Sequence, residues 1–199
     1  MTLPVDQKRP IALAIFLIVA GVIGWIAAFA LTVEKFALLT DPQDSLGCDF
    51  SVLVQCSANL NSAQGSLFGF PNPLIGLGAW IAPIVVGAAL LAGARFDRWF
   101  WVTFNIGAVL ALGFVIWLIS QSIFVLGTLC PWCMVTWSVT IPLFFVLTLR
   151  NLSSGVFGGG SGMRSAAAAL YRWTPTLTFA SYLLIALLAQ LRLDVINHL

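Results

Sequence analysis

Five long apolar runs, separated by polar segments, dominate the pattern of this chain. The runs cover residues 11–33, about 74–92, about 99–120, 129–149 and 173–191. A helix needs about 20 mostly apolar residues to cross the hydrocarbon core of a bilayer. The pattern therefore predicts five membrane-spanning helices, with residues 121–128 as a short connector before the fourth.

Two prolines and two glycines stand out inside these runs. Pro83 lies in the second run and Pro142 in the fourth. Proline removes a backbone donor, but neighbouring helices can satisfy the freed carbonyl in a membrane protein. We therefore keep both runs as helices and expect a kink at Pro83. In the first run, Gly21 and Gly24 could allow a close contact with another helix.

Composition indicates the same class of protein. Of the 199 residues, 60% are hydrophobic and 8% are charged, whereas a soluble domain has about 25% charged residues. The predicted fold class is thus an all-α integral membrane protein. No basic patch interleaved with aromatic residues indicates nucleic-acid binding. The second to fourth runs contain no Asp, Glu, Lys, Arg or His, which argues against a pump or a proton-coupled transporter.

Two polar segments divide the chain. Segment 34–73 separates the first and second runs and contains one pair of cysteines. Segment 151–172 has a core of glycine and serine, and we expect it to be a flexible linker. The predicted organisation is a four-span unit in 1–150, this linker, and a fifth span with a short tail in 173–199.

The distribution of basic residues predicts the orientation. Cytoplasmic segments of membrane proteins carry an excess of Lys and Arg. With the N-terminus inside, seven of the nine basic residues lie on the inner side. These seven are Lys8, Arg9, Arg95, Arg98, Arg150, Arg164 and Arg172. We expect a multi-pass protein of the inner (plasma) membrane, with a cytoplasmic linker and an extracytoplasmic segment 34–73.

The tetrapeptide Cys130-Pro131-Trp132-Cys133 opens the fourth run. Proline is well tolerated in the first turn of a helix, because its missing N–H would be unpaired there. We therefore place Cys130 at the mouth of the helix and Cys133 one turn deeper. The positive end of the helix dipole favours a thiolate, which is the species that attacks disulfides and binds metals.

Cys48 and Cys56 form a second pair, on the same predicted face of the membrane as the tetrapeptide. Two such pairs could relay electrons from a protein partner to a two-electron acceptor within the membrane, for which a quinone is suited. The alternatives are two structural disulfides and a four-thiolate zinc site. Seven residues between Cys48 and Cys56 are wide for zinc, so we expect no metal.

Together these residues resemble the vitamin K epoxide reductase family. Its signature is matched by a loop pair, a serine six residues after the second cysteine, and a Cys-x-x-Cys that opens the fourth helix. The residues that carry the resemblance are Cys48, Cys56, Ser62, Cys130 and Cys133. It covers roughly residues 11–149 and implies a four-helix transmembrane bundle around a quinone, with a fifth transmembrane helix added here.

The resemblance also implies roles for individual residues. Cys133 would react with the quinone, and Cys130 would be its disulfide partner. Cys48 and Cys56 would carry electrons from a thioredoxin-like protein.

The same resemblance implies three contacts around the quinone. Ser62 would lie near the active centre. Asn72 resembles an asparagine that hydrogen-bonds the quinone in vertebrate members. Trp137 stands where those members carry a tyrosine. A turn role for Asn72 and a packing role for Trp137 are the alternatives.

We therefore expect a thiol:quinone oxidoreductase that supports disulfide formation in exported proteins. Many bacterial members continue into a thioredoxin-like domain, which is missing after Leu199. A separate partner of the periplasmic disulfide-donor (DsbA-like) type is then expected. The alternatives are a quinone or vitamin K epoxide reductase, the unrelated Dsb-type oxidase with the reverse order of cysteine pairs, and a non-enzymatic scaffold.

Overall fold

The computed structural model describes residues 10–41 and 46–198. Lys8 and Arg9, which entered the charge count, lie outside the described residues. In the described part, helices account for almost all regular structure. The helices are α1 (Ile11–Thr40), α2 (Ser57–Asn61), α3 (Pro73–Ala79), α4 (Ile81–Leu91), α5 (Arg98–Ser120), α6 (Pro131–Ser153), α7 (Ser161–Arg172), α8 (Thr174–Leu193) and α9 (Val195–His198). A 3₁₀ turn at Ala63–Ser66 follows α2, and a π-helix at Gln121–Leu126 continues α5.

Five helical segments are long and apolar enough to cross a membrane. They are α1, α3 with α4, α5 with its π-helical end, α6 and α8. Each contains one of the five apolar runs. The predicted all-α membrane fold is therefore confirmed, as is the number of spans that the described residues contain.

The first helix extends beyond its predicted end. It runs to Thr40 rather than to residue 33, so Glu34 and Lys35 are helical rather than part of the loop. Lys35 Nζ donates hydrogen bonds to the carbonyl oxygen of Leu60, at 2.7 Å, and to Oδ1 of Asn61, at 3.2 Å. The polar end of α1 therefore supports the segment that carries the first cysteine pair.

The second span is divided in two, but not at the proline itself. Helix α3 ends at Ala79 and α4 begins at Ile81. Pro83 has no N–H, so it cannot bond the carbonyl four residues earlier, which is that of Ala79. The interruption predicted at Pro83 thus lies at Trp80, one turn before it.

Pro142 leaves α6 continuous. The carbonyl it frees belongs to Ser138, four residues earlier. The Tyr182 hydroxyl of α8 donates a hydrogen bond to this carbonyl oxygen at 2.5 Å. A neighbouring helix therefore satisfies the group that the proline leaves unpaired, as expected inside a membrane.

The segment expected to be a linker contains a helix. Residues 154–160 have no helical structure, but Ser161–Arg172 form α7. The four alanines of residues 166–169 favour a helix strongly, whereas the flexible composition is confined to the adjacent glycine-rich residues 155–160. The division of the chain at residues 150 and 172 remains a prediction.

Helices α1 and α6 pack together at the centre of the bundle. Helix α1 also packs against α3 and α4, whereas α5, α7 and α8 pack on α6. Along the described chain, α4 and α5 do not pack closely on each other, and a cavity separates them. The predicted glycine contact is present, because a Cβ atom on Gly21 would lie 2.6 Å from Ile84.

Gly24→Ala tests this packing. A methyl group on Gly24 would lie 2.2 Å from the ring of Trp80. We expect overpacking to destabilise the protein by about 1–3 kcal/mol, measured as a lower thermal unfolding midpoint in detergent. Gly113→Ala on α5 is the matched control, because its methyl group would meet nothing within 4 Å. Equal destabilisation by both substitutions would contradict the close contact.

Candidate active site

The Cys-x-x-Cys sequence begins α6 as predicted. Cys130 is the N-cap residue, with an extended backbone, and Pro131 is the first helical residue. The backbone N–H of Cys133 donates to Cys130 Sγ at 3.4 Å. The Cys130 sulfur therefore satisfies one of the unpaired donors that every helix start presents. Cys130 is buried and Cys133 is partly exposed.

The two cysteine pairs are in different redox states. A disulfide joins Cys48 and Cys56, whereas Cys130 and Cys133 are free thiols. The Cys130 thiol donates a hydrogen bond to Cys56 Sγ across 3.4 Å. Reacting atoms about 3–3.5 Å apart are positioned for attack. The loop cysteine that faces α6 is therefore Cys56 rather than Cys48.

Backbone hydrogen bonds bring these two sulfurs together. Leu129 donates to the carbonyl of Leu53 at 2.8 Å, and Gln55 donates to the carbonyl of Leu129 at 3.0 Å. Cys56 and Cys130 are the residues that follow Gln55 and Leu129 in the chain. The pairing of the two short extended segments therefore sets Cys56 beside Cys130.

Asp49 closes the loop between the first two cysteines. Its Oδ1 accepts hydrogen bonds from the backbone N–H groups of Cys56, at 2.7 Å, and Ser57, at 3.1 Å. Partial burial would raise the pKa of the Asp49 carboxyl, but these hydrogen bonds outweigh it and hold the pKa below its ordinary value. Asp49 is therefore ionised at neutral pH and stabilises the start of α2.

Glu34 is a site residue that the sequence analysis missed. Its Oε2 lies 2.7 Å from Cys48 Sγ, and its carboxylate also interacts with the side chain of Trp132. Ligand atoms of Glu34, Cys48 and Cys56 lie within 4.8 Å of one another, as in a metal site. In this state, however, the disulfide joins both sulfurs. The available signal was an acidic residue immediately after the first apolar run.

A cavity of about 670 Å³ lies on the other side of Cys133. Apolar side chains of α1, α3, α4, α5 and α6 form most of its wall. Cys133 contributes to the wall, whereas Cys130 does not. The two cysteines of the tetrapeptide thus face different surroundings: Cys130 faces the loop disulfide, and Cys133 faces the apolar cavity.

All three predicted quinone contacts line this cavity, but they differ in their hydrogen bonding. The Ser62 hydroxyl donates to the carbonyl of Asn59 at 2.7 Å and accepts from Gly65 N–H at 3.0 Å. Asn72 Nδ2 donates to the carbonyl of Gln64 at 2.6 Å, and its Oδ1 accepts from Leu67 N–H at 3.1 Å. These two side chains brace the turn that forms the cavity wall.

Trp137 differs from them. It is 5% exposed and belongs to the wall of the cavity. In the described part of the chain, no hydrogen bond uses its indole N–H as a donor. Its ring packs against the apolar cluster that includes Val115, Ile119 and Leu129.

Two glutamines were not anticipated. Gln64 Nε2 donates to Gln121 Oε1 at 3.3 Å, and both residues line the cavity. Gln121 lies here because α5 continues as a π-helix to Leu126, where a short connector was expected. Gly127, with a left-handed φ of 69°, then ends the helix. A π-helical turn often marks a functional site, but its composition resembles that of an ordinary loop.

Comparison with known proteins agrees with this arrangement. No curated protein sequence matches the chain significantly. The model of the vitamin K epoxide reductase family matches residues 15–148. This match covers more than half of the chain, includes all four cysteines and ends before α7. The chain therefore belongs to the vitamin K epoxide reductase family of membrane thiol oxidoreductases.

Proposed function

We propose that this protein oxidises a thioredoxin-fold partner outside the cytoplasm and passes the electrons to a membrane quinone. The product would be disulfide bonds in exported proteins. The observation that carries this proposal is the position of the tetrapeptide between the loop disulfide and the apolar cavity. Cys130 lies 3.4 Å from Cys56, and Cys133 lines an apolar cavity.

The relay follows the chemistry of thiol–disulfide exchange. After the partner reduces the loop pair, the Cys56 thiolate attacks Cys130, and the Cys130–Cys133 bond breaks. Cys48 then attacks Cys56, and the Cys56–Cys130 bond breaks. The loop disulfide is restored, and two electrons and their protons have moved to Cys130 and Cys133. This is the redox state present in the structure.

The residues around the cavity fit a quinone. Its volume of about 670 Å³ lies within the range of small-molecule sites, about 300–1,000 Å³. A bound quinone supplies an acceptor for two electrons and two protons. Cys133 and Cys130 lose these electrons as their disulfide closes. Trp137 and Gln121 would orient a quinone carbonyl with their N–H donors, while Ser62 and Asn72 maintain the wall.

The loop offers a surface for a protein partner. Phe50 is 74% exposed and Val52 is 90% exposed, and both lie between Cys48 and Cys56. Large apolar side chains exposed together often mark an interaction surface. A partner docked there would be close to the loop disulfide.

The proposed orientation puts the cysteines outside and α7 in the cytoplasm. It is supported by the basic residues of the described chain at the end of the bundle opposite the cysteines. Arg98, at the start of α5, donates to the carbonyl of Val156 at 2.5 Å. Arg150, Arg164 and Arg172 belong to the same end. This is the distribution expected on the inner side.

Labelling of intact cells tests the orientation. In Ser161→Cys, we expect an impermeant maleimide to label the new thiol only after permeabilisation, because Ser161 is exposed and lies on the proposed cytoplasmic side. Val52→Cys should be labelled without permeabilisation, and the parent protein gives the background. Labelling of Ser161→Cys in intact cells would contradict the proposed topology.

Two electron donors separate the roles of the cysteine pairs. Cys48→Ser/Cys56→Ser should lose quinone reduction with a thioredoxin-fold donor but retain part of it with dithiothreitol, which can reach the mouth of α6. Cys133→Ser should lose activity with both donors. Quinone absorbance provides the measurement, after folding is checked. Equal loss with both donors in the loop variant would refute the shuttle role, and normal turnover of Cys133→Ser would refute the function.

Trp137→Phe tests the quinone contact. It removes the N–H donor and keeps most of the ring, so we expect the quinone KM to rise about 5–10-fold, the effect of one lost hydrogen bond. Asn72→Ala serves as the contrast. It loses two internal hydrogen bonds and should mainly lower the unfolding temperature. An unchanged KM in Trp137→Phe would leave the indole with a packing role only.

A further inference from the structure

The Glu34 carboxyl group lies against the Cys48 sulfur. Glu34 Oε2 is 2.7 Å from Cys48 Sγ. Cys48 is part of the loop disulfide, so its sulfur carries no hydrogen in this state. When the disulfide is reduced, the Cys48 thiol can donate its proton to the adjacent carboxylate oxygen.

From this geometry we propose that Glu34 is a catalytic acid and base that exchanges one proton with Cys48 in each turnover. The inference rests on the proposed relay, in which Cys48 leaves one disulfide as a thiolate and later attacks another. A thiol must lose its proton before it attacks, because the thiolate is the nucleophile. Glu34 is in direct contact with the sulfur that undergoes both changes.

Opening of the loop uses Glu34 as an acid. Cys56 Sγ is in contact with Cys130 Sγ, so the partner's thiolate attacks the other loop sulfur, that of Cys48. The Cys48–Cys56 bond breaks, and Cys56 leaves with the electron pair. The partner's second thiolate then breaks the bond to Cys48. Cys48 leaves with that electron pair and takes the proton of Glu34.

Closing of the loop uses Glu34 as a base. Once Cys56 has formed its bond with Cys130, the Cys48 thiol returns its proton to the Glu34 carboxylate and attacks Cys56. The Cys48–Cys56 bond forms, the Cys56–Cys130 bond breaks, and Cys130 receives the electron pair. Glu34 is then protonated again, so each turnover returns it to its starting protonation state.

The other charged groups nearby are engaged differently. Asp49 Oδ1 accepts two backbone hydrogen bonds, from Cys56 and Ser57. Lys35, beside Glu34 on α1, donates to Leu60 and Asn61. The loop brings the carboxylate of Asp49 and the sulfurs of Cys48 and Cys56 close to Glu34, and α6 brings the side chain of Trp132.

A titration of the fully reduced protein with quinone tests the proposal. Its four thiols can reduce two equivalents of quinone. The first equivalent needs only Cys130 and Cys133. The second is reduced only after electrons from Cys48 and Cys56 have crossed to α6, so its rate contains the step assigned to Glu34. Stopped-flow absorbance resolves the two phases, and Cys48→Ser should reduce one equivalent only.

Glu34→Gln keeps the size of the side chain and removes its basic oxygen. An ordinary thiol of pKa about 8.5 is about 3% ionised at pH 7, so we expect the second phase to slow by up to about 30-fold. The defect should shrink as pH rises toward 9, where hydroxide ionises the thiol. Asp49→Asn is the matched control. It removes the neighbouring charge but retains an oxygen that can cap Cys56 and Ser57.

Each outcome has one meaning. A slower second phase in Glu34→Gln, with a defect that disappears at high pH, supports the proposal. Equal rates in Glu34→Gln and the parent protein overturn it, as does a defect of the same size at every pH, which would indicate a structural role. A similar slow phase in Asp49→Asn would also overturn it. If the parent protein reduces no quinone at all, the proposed function fails instead.

Discussion

A short stretch of backbone pairing determines whether the two halves of this site can meet. The loop that carries Cys48 and Cys56 pairs with Leu129 through two hydrogen bonds of 2.8 and 3.0 Å. Asn59 adds a side-chain hydrogen bond to Thr128 at 2.9 Å. Thiol–disulfide exchange needs the two sulfurs in contact. A displacement of the loop by a few ångströms would therefore move Cys56 out of reach of Cys130. Packing of the hydrophobic core alone would not hold the loop in this position beside α6.

The start of α6 explains how two cysteines of one tetrapeptide can face different surroundings. Residues three apart in a helix share a face, so two fully helical cysteines would both face either the cavity or the loop. Cys130 is the N-cap and has extended backbone angles. Its side chain therefore does not follow the rotation of the helix, and the pair connects the loop to the cavity within one turn.

Much of this organisation could be read from the sequence. Hydropathy predicted the five spans, and the proline after Cys130 predicted the helix start at Pro131. Long-range pairing could not be read in this way. Nothing in the local pattern indicates that Glu34 would lie against Cys48, or that Ser62 and Asn72 would direct their polar groups to the backbone. The π-helical end of α5 was missed because its residues are also typical of a loop.

The space between α4 and α5 determines which concentration of the proposed electron acceptor, that in the lipid or that in the buffer, sets the occupancy of the cavity. Those two helices border the cavity without close packing between them, and a lateral opening there would let the proposed quinone reach Cys133 from the lipid. Its effective concentration is then its mole fraction in the bilayer rather than its amount per litre of buffer. Occupancy would follow the ratio of quinone to lipid or detergent. Diluting a proteoliposome suspension would leave this occupancy unchanged, whereas adding empty detergent micelles would lower it.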